Sequence, residues 1–121
     1  MTVDPTGEDI RAFVQEDDGG PVVMLNLLRF AGDAGRASYG EYAAKVQPFL
    51  DGVGATVLYA GSCSTALVAP EGPDWDAMLI VRYPSRGAFL EMVGNPDYQA
   101  ITGLRTAALE AAVLQATTPW G

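Results

Sequence analysis

The chain has 121 residues, which suffices for one domain and leaves no length for a second core. An apolar share of 49% with 18% charged residues excludes a disordered chain. The 15 acidic residues outweigh the 7 basic ones, and the formal charge of −8 with no basic run excludes nucleic acid and anionic membranes as partners. There is no histidine, so the usual general base and the usual metal or haem ligand are missing, and neither a metal nor a cofactor is expected. Cys63 is the single cysteine, which rules out an intrachain disulfide; it reads as a small buried or half-buried apolar residue. The opening Met1-Thr-Val-Asp-Pro5 lacks the basic flank and apolar core of a signal peptide, and no apolar run reaches membrane-spanning length. The cytoplasm is the expected compartment.

Thr6-Gly-Glu-Asp9 resembles a capping box, with Asp9 in place of the usual Glu. Ile10, Phe13 and Val14 follow at helical spacing until Gly19-Gly20 stops them. Residues 21–30, bordered by glycines and opening with β-branched residues, predict a first strand. Residues 32–35 read as a loop, and Ser38 as the cap of a helix whose Tyr39, Tyr42, Val46 and Leu50 share a stripe. Pro48 should tighten its last turn. Residues 55–67 predict a second strand broken near Gly61, and residues 76–83 a third. Ser85 caps the next helix, Asn95-Pro96 begins another, and residues 111–117 predict the fourth strand.

That order is β-α-β-β-α-β, an α+β, ferredoxin-like arrangement with a four-stranded antiparallel sheet and an extra N-terminal helix. Residues 1–20 are expected to form the helical extension and residues 21–121 the domain itself. Right-handed crossovers place both helices on one face and leave the other bare. Strand alternation assigns Val23, Leu25, Leu27, Leu79, Val81, Tyr83, Ala112, Leu114 and Ala116 to the helix side. Met24, Asn26, Leu28, Met78, Ile80, Arg82, Val113 and Gln115 are left for the bare side, which two copies would bury against each other in a homodimer. The competing reading is that Asn26, Arg82 and Gln115 keep an exposed face soluble.

Several stretches resemble the domain of unknown function 1330 family. They are Asn26-Leu-Leu-Arg-Phe30, Tyr39-Gly-Glu-Tyr42, Trp75-Asp76, Arg82-Tyr-Pro-Ser-Arg-Gly-Ala-Phe89, Asn95-Pro-Asp-Tyr-Gln99 and Leu104-Arg-Thr-Ala-Ala-Leu109. The similarity spans roughly residues 21–117. It implies the dimeric α/β barrel superfamily, in which two ferredoxin-like subunits join sheet to sheet. Relatives by fold include cofactor-free monooxygenases of polycyclic phenols, haem-degrading enzymes, lactone isomerases and ligand-sensing modules, and fold alone does not choose among them. The haem-binding relatives use a histidine that this chain lacks.

Without histidine, proton transfer would fall to Asp, Glu or Tyr, and anion stabilisation to Arg, Asn or Trp. Asn26 is the leading ligand-binding candidate, because an amide inside an apolar strand must find a partner, which a ligand, water or a side chain would provide. Arg29 falls near Asp76 across the first and third strands, so a structural ion pair competes with a ligand role. Arg82 and Arg105 could each clamp a carboxylate, with a structural brace preferred for Arg105. Tyr39 and Tyr42 lie one turn apart and read as core rings whose hydroxyls reach polar partners. Tyr59 and Trp75 are offered either to an aromatic pocket or to lid packing. Two function classes follow. One is a cofactor-independent enzyme, an oxygenase or isomerase acting on a small aromatic or enolisable substrate. The other is a non-catalytic module for a small organic ligand, with a purely structural dimer behind it.

Overall fold

The computed structural model describes residues 3–120. Helix α1 (Gly7–Gln15) starts at a complete capping box: the Asp9 amide donates to Thr6 Oγ1 at 3.1 Å, and the Thr6 amide donates to the Asp9 carboxylate at 3.1 Å. Donation from the Thr6 amide, and from the Thr6 hydroxyl at 2.8 Å, holds the Asp9 carboxyl below its ordinary pKa. The shorter Asp side chain therefore closes the box as Glu would. Phe13 turns inward from α1 and meets the Phe89 ring, and the buried Arg86 donates to the Phe13 carbonyl at 2.8 Å while lying over its ring.

Strand β1 (Val22–Phe30) leads into α2 (Gly32–Gly52), then β2 (Thr56–Ser62), β3 (Ala77–Tyr83), α3 (Arg86–Gly94), the short α4 (Pro96–Gln99), α5 (Thr102–Ala108) and β4 (Leu109–Thr117). The strands form one antiparallel sheet in the order β2-β3-β1-β4, the ferredoxin-like topology. Ser85 accepts from the Ala88 amide and Asn95 from the Asp97 amide, so both polar caps stand where the chain restarts a helix. Residues 32–35 are the first turn of α2 and not a loop. Ser38 lies inside that helix, where its hydroxyl donates to the Leu104 carbonyl at 2.8 Å. Gly35 lets α2 rest on the end of α5, since a Cβ there would stand 2.5 Å from the Ala108 oxygen.

The helices cover one face of the sheet, but β1 presents to them the residues expected on the other side. Met24 lies opposite Val81 and Ala116, Asn26 opposite Leu79 and Leu114, and Leu28 opposite Ala77 and Ala112. Directly opposed residues share a face, and Val22, Met24 and Leu28 are buried with Tyr42, Val46, Leu50, Phe89 and Met92 around them or close by. The bare face therefore carries Val23, Leu25 and Leu27, with Met78, Ile80, Arg82, Val113 and Gln115 as expected. Cys63 is exposed just past the end of β2, which stops at Ser62, short of the expected residue 67.

Candidate functional site

A cavity of about 500 Å³ lies between the helix-covered face of the sheet and the helices. The sheet contributes Asn26, Leu79, Val81, Tyr83 and Leu114 to its wall; α2 contributes Tyr39, Tyr42, Val46 and Leu50. Phe89 and Met92 from α3, Tyr98 from α4 and Arg105 from α5 complete it, and Asp4 and Pro5 reach it from the segment before α1. Aromatic rings pack along the helical side of this space. Tyr39 packs on Phe30 and on Tyr42, and Tyr42 meets Tyr98 edge-on at 6.5 Å between centroids.

Few polar groups face this space. The Tyr42 and Tyr98 hydroxyls share a hydrogen bond of 2.8 Å. Burial raises the pKa of Tyr39, Tyr42 and Tyr83 above the ordinary phenol value, and for Tyr42 the neighbouring Tyr98 adds to the rise. These side chains are neutral hydroxyls at physiological pH and do not serve as bases. The Tyr39 and Tyr83 hydroxyls have no hydrogen-bond partner among the described residues. Asn26 interrupts the apolar run of β1, and its Nδ2 donates only to the Met24 carbonyl at 3.5 Å, the outer limit of a hydrogen bond.

Arg105 is 7% exposed and braces the N-terminal segment: Nη1 donates to the Val3 carbonyl and lies 3.6 Å from Asp4 Oδ1. Its Nη2, closed off from solvent, has no partner among the described residues. The brace expected of Arg105 is therefore present, yet half of the guanidinium fork is left over on a residue of the cavity wall.

Of the residues singled out from sequence, Asn26, Tyr39 and Tyr42 line the cavity together. Arg29 and Arg82 do not. Arg82 lies opposite Val23 on the bare face, across the sheet from Asn26, because β1 has the parity described above. Arg29 pairs with Glu110 at 2.8 Å in place of Asp76, whose carboxylate accepts from the Phe30 amide at 2.8 Å. The expected alignment of β1 with β3 holds, with Leu28 opposite Ala77. The ion pair fails because Asp76 is taken by backbone, and a bulge in β4 opposite Arg29 and Phe30 brings Glu110 within reach. Tyr59, opposite Ile80, folds its ring back over Gly61 on the bare face and Trp75 lies outside the wall, so neither joins the pocket. Tyr83 and Tyr98 are not singled out from sequence, and Arg105, offered as a carboxylate clamp, is preferred there as a brace. Arg105 did leave a signal: it is the one charge between Asp97 and Glu110. Among the described residues no group of three or more acidic or cysteine side chains is placed to hold a metal ion, and no helix is long and apolar enough to cross a membrane.

The sheet order and the cavity define a ferredoxin-like α+β domain with an aromatic-lined chamber between sheet and helices. The chain belongs to the family described as a domain of unknown function (DUF1330), whose model matches residues 34–117. That span begins after β1, so Asn26-Leu-Leu-Arg-Phe30 falls outside it. A protein of unknown function from Rhodopseudomonas palustris, RPA0582, is 32% identical, with 99% of this chain and 98% of that one covered at a TM-score of 0.90. A dimeric ferredoxin-like protein of unknown function from Thermobifida fusca shares 12% identity over 84% of this chain and 93% of its own, with a TM-score of 0.58. SnoaB, a cofactor-independent oxygenase from Streptomyces nogalater, shares 14% over 85% and 96%, with a TM-score of 0.59. No curated protein matches the chain.

Proposed function

We propose that this chain binds a small planar molecule, aromatic or enolisable, in the cavity of each subunit, and that it works as a cytoplasmic homodimer joined through the bare sheet face. The cavity carries the reading: about 500 Å³ falls within the range of small-molecule sites, and its wall is apolar with a few polar groups that would fix orientation. A purely structural dimer gives no reason for so large a void. The dimer draws on the apolar residues of the bare face, Leu25, Leu27, Met78 and Ile80, and on relatives of the same fold described as dimeric. The compartment is in keeping with the acidic composition and the single cysteine.

The catalytic form of this reading is a cofactor-independent oxygenase or isomerase. It draws on the activity ascribed to SnoaB, a relative by fold. Such chemistry needs a proton acceptor. The tyrosines are held as neutral phenols, and Asp4 is the carboxylate on the wall. The geometry supports binding first, with chemistry left to a substrate acidic enough to enter already ionised or to shed its proton to Asp4.

Leu114→Phe tests the cavity. With naphthamide as a neutral fluorescent probe, the wild-type chain should bind and the variant should not, while its melting temperature stays within a few degrees because the new ring enters empty space. Unchanged probe binding would contradict the reading. So would the loss of about 1–3 kcal/mol that overpacking a filled core produces.

A further inference from the structure

We infer that the ligand of this cavity is an uncharged planar molecule with a carbonyl oxygen on its edge (an aromatic ketone or enone), and that the Tyr83 hydroxyl donates to that oxygen. The inference rests on the binding function proposed above and narrows its chemistry. Tyr83 ends β3 opposite Val22, and its ring meets Phe89 edge-on at 5.1 Å between centroids. The residue is 5% exposed, so its ring belongs to the core. Its hydroxyl has no hydrogen-bond partner among the described residues. That oxygen is nevertheless not sealed: among the described residues, the buried side-chain atom that lacks both a partner and access to water is Arg105 Nη2. Since Tyr83 stands on the cavity wall, its hydroxyl opens into the cavity. A phenylalanine would pack the same core position, so the hydroxyl has its use outside the subunit's own hydrogen bonds.

The surroundings choose the partner. Burial first, and then the nearby Tyr98 and Tyr39, raise the Tyr83 pKa above the phenol value. An environment that opposes a phenolate on Tyr83 also opposes an anion brought against it. Arg105 does not offset this, because its described contacts run to Val3 and Asp4 and its Nη2 is closed off. A ligand that only donates would depend on the lone pairs of the phenol oxygen, which are drawn into the ring and accept weakly. A carbonyl oxygen takes the O–H bond and brings no charge. The Tyr42 and Tyr98 hydroxyls already bond each other at 2.8 Å. Tyr39 also lacks a partner but is only half-buried, so Tyr83 is the donor with the most to gain. Val81, Phe89 and Met92, buried and apolar on the same wall, suit a flat hydrocarbon body.

The test uses acetonaphthone and isopropenylnaphthalene, which share a shape and differ by a CH₂ group in place of the carbonyl oxygen, in equilibrium dialysis against the full chain at neutral pH. The ketone should bind, and Tyr83→Phe should weaken it about fivefold, as the loss of one neutral hydrogen bond does. Both chains should bind the hydrocarbon equally. Naphthoate, of similar shape but charged, should bind the wild-type chain several-fold more weakly than the ketone. Tyr83→Phe should melt no lower than the wild type, because the hydroxyl it removes makes no bond within the subunit. A ketone affinity untouched by Tyr83→Phe, an effect shared by ketone and hydrocarbon, or naphthoate bound more tightly than the ketone would overturn the carbonyl site and leave the cavity's binding role standing. A clear fall in melting temperature would give the hydroxyl a structural role and overturn the site as well. Failure of every probe to bind would overturn the binding function and the carbonyl site together.

Discussion

The two faces of the sheet are built from the same four strands and end up in different company. On the helix-covered face Val22, Met24 and Leu28 are 1%, 3% and 0% exposed, yet that face also holds the void and the ill-satisfied Asn26. On the bare face Leu25, Leu27, Met78 and Ile80 are half-buried by their neighbours alone and belong to neither buried cluster. The covered face is thus dense around Leu28 and hollow beside Asn26, while the bare face is apolar with a rim of Arg29, Arg82, Gln115 and Thr117. A sheet face that packs on its own helices can keep room for a ligand. One that waits for a second copy needs a continuous apolar surface.

The contrast breaks first at Leu28. Leu28→Ala should cost about 2–5 kcal/mol in urea unfolding, since a fully buried leucine leaves a cavity that the small cluster around Ala108 and Leu109 cannot refill. A loss below about 1 kcal/mol would mean that the dense end of the covered face is loosely packed. A smaller effect on the subunit, though not on its assembly, is expected at Ile80. Ile80→Asp places a charge in the proposed subunit interface and should convert a dimer by light scattering into a folded monomer, with the far-ultraviolet dichroism retained. A variant that stays dimeric, or a wild-type chain that is already monomeric, would remove the bare face from assembly.

Local features were legible because their causes are local. The Thr6 box, the Ser85 and Asn95 caps and the alternation of β3 and β4 depend on residues a few positions apart, and each stands where the sequence implies. The sidedness of β1 was misread because Asn26 counts as an outward signal in a strand whose inner face is assumed to be solid. Asn26 is tolerated inward because that face is hollow, and a void leaves no mark on the pattern. Arg29 shows a second limit: its alignment with Asp76 followed from the strands, but a bulge in β4 opposite Arg29 and Phe30 brought Glu110 within reach instead. Arg105 shows a third, since its partner Val3 is 102 residues away and no spacing rule joins them.

The central claim is that the covered face holds the ligand and the bare face does not. A titration of isotope-labelled protein with naphthamide, followed by nuclear magnetic resonance, separates the two directly. The Asn26 side-chain amide and the methyls of Val81 and Leu114 should shift with saturating amplitude, while those of Leu25 and Ile80 stay in place. Shifts confined to Leu25, Leu27 and Ile80, with Asn26 unmoved, would contradict it.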